Sequence, residues 1–162
     1  MNNRYFNSEK VSRTATIITN GNIQKVFPLF GAFEERKWAE GWNPKLIYPL
    51  KEIIEEGTTF RTEGRRKEEK EYLWRVSKFE PEKHLIQYLV STENRYWTIT
   101  IKCNSVSGIQ TKATITYTFI GLNKLGNIIN SQSLQEMYAN NLIDWQEAIN
   151  YYLDNGQILK GK

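Results

Sequence analysis

From Lys112 to Phe119 apolar and polar residues alternate without a break, with Ala113, Ile115, Tyr117 and Phe119 on one side and Lys112, Thr114, Thr116 and Thr118 on the other. A period of two marks a half-buried antiparallel strand, one face on a core and the other in water. Less regular versions of the pattern occur at Val11, Ala15 and Ile17, at Tyr72, Trp74 and Val76, at Ile86, Tyr88 and Val90, and at Trp97, Ile99 and Ile101. Short strands are predicted from Leu46 to Ile54 and from Thr58 to Gly64, with a turn at Glu55-Glu56-Gly57 between them. Further turns are predicted at Glu80-Pro81-Glu82, Glu93-Asn94 and Ser107-Gly108, where residues that favour reversal interrupt the alternation.

Two segments depart from the period of two. After the first strand, Asn20-Gly21-Asn22 caps a short helix from Ile23 to Phe30, and a second runs from Ala32 to about Trp38, with Pro28 and Gly31 limiting both. Near the C-terminus Leu134, Met137, Tyr138, Leu142, Trp145, Ala148, Ile149 and Tyr152 recur every three or four residues, which predicts one long amphipathic helix. Asn155-Gly156 stops it, and Ser133 with Glu136 has the spacing of a capping box, although Gly126 to Asn130 fits a helix as well. A curved antiparallel sheet wrapped around one helix leaves internal space, so the pattern points to a protein that holds something apolar.

Composition narrows the class. At 162 residues, 40% hydrophobic and 13% aromatic, the chain is too apolar for disorder and is sized for one domain, residues 1–162, with its core from about residue 10 to 156. Repeats, linkers and low-complexity stretches are absent from the sequence. The net charge of +4 is spread over mixed signs, and no basic stripe interleaves with aromatics, so no nucleic-acid partner is expected. The densest charge run, Arg61 to Glu71, is largely self-compensating and reads as a solvated hairpin. A single cysteine, Cys103, excludes an internal disulfide framework and a thiolate zinc site and fits a cytoplasmic location. No stretch has the length and apolarity of a signal peptide or a membrane span, so no membrane insertion is expected.

Three segments carry a family likeness: Val26-Phe27-Pro28-Leu29-Phe30 with Glu35 to Pro44; Gly57-Thr58-Thr59-Phe60-Arg61-Thr62; and Asp144-Trp145-Gln146-Glu147-Ala148-Ile149-Asn150-Tyr151-Tyr152-Leu153. With the strand order they resemble the START-like or Bet v 1-like superfamily of polyketide cyclase and lipid-transport proteins (SRPBCC), in particular a prokaryotic subset of unknown activity. The resemblance implies an α+β helix-grip fold, with seven antiparallel strands curved around a long C-terminal helix and two short helices between strands 1 and 2. Lipid carriers, hormone receptors, aromatic cyclases and chaperone activators share that fold, so it leaves the role open.

The inward positions form an aromatic set from which a ligand-binding lining is expected: Trp38, Trp42, Phe60, Tyr72, Trp74, Tyr88, Trp97, Ile99, Tyr117, Met137, Tyr138, Asn141 and Trp145. For each of these, plain core packing is the competing reading. The tyrosines matter most, because a buried hydroxyl must find a partner, which a ligand's polar end, water or another residue can supply. Asn141 falls within the apolar arc of the predicted helix, where its amide needs the same. The turn from Trp38 to Pro44 fits a pocket entrance or a cap over the open sheet end, and Glu35 or Arg36 beside it fits a ligand contact or an exposed ion pair.

Catalytic signals are sparse. The single histidine, His84, follows a turn, Cys103 lacks a neighbouring base, and no nucleotide-binding loop, nucleophile elbow or metal-ligand spacing occurs. No catalytic residue, metal or cofactor is therefore expected. The leading expectation is a small hydrophobic, lipid-like or aromatic ligand in an internal cavity. A polyketide cyclase-like enzyme using a pocket tyrosine with Glu35 is an alternative, as is a protein-interaction module of the chaperone-activator kind working through the hairpin at Arg65-Arg66-Lys67, with a protein partner.

Overall fold

A computed structural model describes residues 6–161, apart from the side chain of Tyr138. Seven strands, β1 (Lys10–Thr19), β2 (Lys45–Tyr48), β3 (Thr59–Arg66), β4 (Glu69–Glu80), β5 (Leu85–Ser91), β6 (Arg95–Ser107) and β7 (Gln110–Gly121), form one sheet. Their order is β1-β7-β6-β5-β4-β3-β2, with every neighbouring pair antiparallel. The alternation of β7 sets its two faces: Ala113, Ile115 and Phe119 are buried, while on the other face the hydroxyls of Thr114's neighbours Thr116 and Thr118 meet Thr14 and Ser12 of β1 at 2.9 and 3.0 Å. Register shifts within the β3–β4 and β4–β5 pairings, at Glu63/Arg66 and Val76/Lys78, are irregularities of the kind that bend and twist a strand.

Between β1 and β2 the chain forms the short helix α1 (Ile23–Val26) and two 3₁₀ turns, Phe27–Phe30 and Glu34–Lys37. Asn22 caps α1 by accepting a hydrogen bond from the Lys25 amide at 2.9 Å. Strand β2 stops at Tyr48 and does not reach Ile54. Beyond it Leu50 and Ile53 are exposed, and of the apolar residues past Tyr48 that suggested a longer strand only Ile54 packs against the core.

The predicted long helix is present as two. Helix α2 (Lys124–Asn140) and helix α3 (Ile143–Asn155) are separated by Asn141 and Leu142, both left-handed with φ of 48° and 60°. Asparagine tolerates that region, whereas leucine is strained there. The strain coincides with burial of the Leu142 side chain in the core, which sets an apolar gain against it. Asn141 therefore lies exposed at the joint and not within an apolar arc. Helix α2 begins at the Asn123 cap, whose Oδ1 accepts from the Gly126 amide at 2.8 Å, so Ser133 and Glu136 sit in mid-helix. At that start the backbones nearly touch: a Cβ on Gly126 would lie 1.9 Å from the Asn94 carbonyl oxygen.

One part of the charge run is deeply buried. Glu69 accepts from Arg95 at 2.8 and 3.1 Å, and the two side chains are 0% and 2% exposed. Thr92 donates to Glu69 at 2.7 Å, while Arg95 also donates to Asn130 and Ser133 of α2 and stacks 4.3 Å from the Trp97 ring. Arg66 donates to the same Ser133 and to Glu136. The hairpin read as solvated is thus pinned at its turn to α2. Removing one partner strands a buried charge, so Arg95→Ala and Glu69→Ala are each expected to lose about 3–5 kcal/mol in urea unfolding, and the double change Glu69→Leu with Arg95→Met to regain most of it. Truncating the exposed Arg61–Glu71 pair is expected to cost less than about 1 kcal/mol.

Candidate functional site

The concave face of the sheet is wider than α1, the 3₁₀ turns, α2 and α3 can fill, and a cavity of about 810 Å³ remains between them. Strand alternation aims Tyr72, Trp74, Tyr88, Trp97, Ile99 and Tyr117 into it, the turn after the second 3₁₀ segment adds Trp38 and Trp42, and Met137 and Trp145 close it from α2 and α3. All five tryptophans line the space. Two residues expected in the lining are not there. Phe60 is fully buried behind the wall, stacked 5.5 Å from Trp74 and flanked by Trp42 and Tyr88, and Asn141 belongs to the helix joint. The side chain of Tyr138 lies outside the described residues.

Hydrogen bonding divides the polar groups of this wall. The indoles of Trp38 and Trp42 donate to the Leu29 and Ala32 carbonyls at 2.7 and 2.6 Å, which fixes the Trp38–Pro44 turn against the preceding segment, and Trp74 donates to Thr62. The Tyr88 hydroxyl donates to the Phe30 carbonyl at 2.7 Å, and the Tyr72 hydroxyl accepts from the Arg65 amide at 3.3 Å. Among the described residues the Tyr117 hydroxyl and the Glu35 carboxyl have no protein hydrogen-bond partner, and both line the cavity.

Glu35 stands apart from its neighbours. In the 3₁₀ turn Glu34–Lys37, Glu34 pairs with Lys37 and Arg36 with Glu52, both on the exterior, while Glu35 turns inward. Its backbone is tied on both sides, donating to Gly31 and accepting from Trp38 and Ala39, so the turn directs the side chain. By area Glu35 is half-buried, but it has protein on all sides and its free area faces the cavity. Burial pushes its carboxyl up from 4.5 to about 8, against an opposing pull from the positive charge of Arg65. Burial and the nearby Glu35 charge likewise raise the hydroxyls of Tyr88 and Tyr117. Sequence reasoning reached Glu35 only as one of two candidates, because the spacing of Glu34, Glu35, Arg36 and Lys37 does not say which one faces in.

The other reactive side chains lie elsewhere. His84 is left-handed (φ 54°) and half-buried, edge-on to Phe27 at 5.5 Å, and outside the cavity wall. Cys103 is buried, which pushes its thiol up to about 12. Among the described residues no group of three or more potential ligands is placed to hold a metal ion, and no helix is long and apolar enough to cross a membrane.

No family model and no curated protein matches the chain in sequence. Solved structures do match in fold. Norcoclaurine synthase from Thalictrum flavum, as a point mutant in complex with a transition-state analogue, superposes with a TM-score of 0.67 at 10% identity, covering 93% of this chain and 98% of that one. The di-domain aromatase/cyclase BexL of the BE-7585A biosynthetic pathway gives 0.66 at 12% identity, over 89% of this chain and 48% of its own, and Ara h 8.0201 gives 0.61 at 14%, over 92% and 100%. The chain has the Bet v 1-like helix-grip fold, the fold that the resemblance read from its sequence implies.

Stability should carry the signature of Glu35. With its pKa raised from 4.5 to about 8, the folded protein keeps a proton that the unfolded chain gives up, so stability falls as pH rises between these values. Glu35→Gln removes that loss: relative to the parent it is expected to gain up to about 5 kcal/mol near pH 9 and almost nothing near pH 4. Urea unfolding at both pH values checks this, and an equal difference at the two would contradict burial of the carboxyl.

Proposed function

We propose that the protein binds a small, largely apolar or aromatic molecule in the internal cavity, its polar end turned toward Glu35 and Tyr117. The observation that carries this reading is the combination of a cavity of about 810 Å³, lined by all five tryptophans and several tyrosines, with the Glu35 carboxyl and the Tyr117 hydroxyl facing it without a protein hydrogen bond among the described residues. Ligand sites are built this way, with apolar walls for affinity and a few polar groups for orientation. At about 25 cal/mol per Å² of apolar surface removed from water, micromolar affinity takes roughly 330 Å², close to full enclosure of a two- or three-ring molecule. Norcoclaurine synthase and BexL lend the fold-level precedent of small-molecule chemistry, and nothing about this chain's own ligand follows from them.

The position of the tryptophans supplies the experiment. With all five indoles on the cavity wall, titration with apolar aromatic compounds is expected to shift several indole NMR signals saturably. Trp97→Ala, by deleting about 60 Å² of ring contact, is expected to weaken binding roughly tenfold. A folded Trp97→Ala protein that binds every compound as the parent does would refute the site.

An acid–base enzyme of the cyclase kind is the second reading, favoured by one observation. A carboxyl raised to about 8 inside an apolar cavity gains and loses a proton near neutral pH, as a general acid or base must. Turnover of polyketide-like aromatics that disappears in Glu35→Gln while binding persists would favour it over simple carriage.

A further inference from the structure

We infer that the ligand's polar end is a cation: the cavity takes an ammonium-bearing small molecule, an arylalkylamine or a comparable organic amine, with its nitrogen against the Glu35 carboxylate among the rings of Trp38, Tyr88, Tyr117 and Trp145. This inference rests on the cavity being a binding site and gives that site a ligand class.

The argument starts from which charges are already matched. Around the cavity Arg95 is paired with Glu69 and Arg66 with Glu136, and beside Glu35 in the chain Arg36 and Lys37 are paired with Glu52 and Glu34. Glu35 is left as an inward carboxyl without a hydrogen bond among the described residues. Three charged or titratable groups act on it from the surrounding elements, Arg65 from β3, Tyr88 from β5 and Tyr117 from β7, and Tyr117 in turn feels Asp144 of α3. Arg65 is the one cation acting on Glu35, and it is exposed and makes no hydrogen bond to it; Lys45 of β2, also exposed, is the other lining cation outside the ion pairs, against the lining carboxylates Glu63 and Asp144. Asp144 adds negative charge on the α3 side, which favours a ligand cation over a ligand anion.

The walls suit the same charge. Trp38 and Trp145 lie 5.8 Å apart between ring centroids and, with Tyr88 and Tyr117, line the cavity that the carboxyl faces. Aromatic faces attract ammonium groups, most strongly where water is excluded. A charge-assisted hydrogen bond from nitrogen to the carboxylate would satisfy an acceptor that the protein leaves open. A neutral alcohol can satisfy the same oxygen but gains little from charge or from the ring faces.

The proton balance follows. In the empty cavity near pH 7 the Glu35 carboxyl is mostly protonated, so an ammonium ion that binds the carboxylate must expel that proton. Binding therefore releases close to one proton below about pH 8, and affinity rises with pH up to that point. Tyr88 and Tyr117 keep their protons throughout this range, because burial and Glu35 raise both.

The test compares three molecules of one shape, naphthylethylamine, naphthylethanol and naphthylacetate, titrated calorimetrically into the full chain. Runs near pH 6.5 in two buffers of different ionisation enthalpy count protons, and runs near pH 8 compare affinities. The amine is expected to bind about tenfold or more tightly than the alcohol, with naphthylacetate weakest, and to release close to one proton near pH 6.5 where the alcohol releases none. Glu35→Gln is expected to erase both the amine's advantage and the proton release, and the proton count in the parent stands on its own should that variant fold poorly. An alcohol that binds as well as the amine, a naphthylacetate that binds best, or an amine advantage that survives in Glu35→Gln overturns the cation inference while leaving the cavity a binding site. If none of the three shifts any indole signal, the binding-site reading falls with it.

Discussion

Arg95 leaves the start of β6 pointing into the protein, and the arrangement at the α2 end of the cavity depends on how its charge is met. A guanidinium away from water is costly unless every donor is used and a counter-charge is close. Here Glu69 takes its Nε and one Nη, Asn130 and Ser133 take the other Nη, and Trp97 lies against its face. Three elements far apart in sequence, the β3–β4 hairpin, β6 and α2, are thereby held to one point. Helix α2 needs that hold. Ile129 is buried along it, but Leu125 and Ile128 are exposed and its second half is largely polar, so apolar packing alone secures little of its length. Arg66, at the end of β3, makes a second attachment through the same serine and Glu136.

With α2 held at that distance, the wide concave face is roofed without being filled. Rings line the space because strand alternation puts Tyr72, Trp74, Tyr88, Trp97 and Tyr117 on one face, and donors that would otherwise be stranded find nearby carbonyls and hydroxyls. Glu35 is the exception to that economy. Backbone hydrogen bonds on both sides of its 3₁₀ turn oblige one member of a four-residue charge cluster to face inward, and the carboxyl there keeps its proton more tightly than an exposed one would. An unpaired carboxyl at one end, the matched arginines at the α2 end and rings between them give the cavity two unlike ends.

The sheet was legible because its signal is local. From Lys112 to Phe119 each residue of β7 declares its face by its own polarity, and the same holds for most of β5 and β6, so the inward rings could be named from spacing alone. What escaped the sequence depends on partners distant in the chain. Glu69 sits in a run of alternating charges that reads as solvated, and only Arg95, brought to it by strands β4 to β6, explains its burial. The helix joint left a faint trace in Asn140-Asn141, yet Leu142 continues the apolar spacing, and a period of three to four cannot reveal that two left-handed residues reset its phase. Phe60 was correctly placed inside, but alternation does not distinguish a ring on the wall from one behind it.

That joint makes the roof two planks instead of one beam. A continuous helix would carry any tilt from one end of the cavity to the other, whereas Asn141 and Leu142 interrupt the ladder between the plank anchored by arginines and the plank that lies along β1. The two ends of the chamber are thus separately adjustable: substitutions along α2 can reshape the side near Arg66 and Met137 without moving Trp145 from its place beside Trp38. A lineage carrying this scaffold has two dials for the volume of its chamber, and the setting of one leaves the polar corner at the other undisturbed.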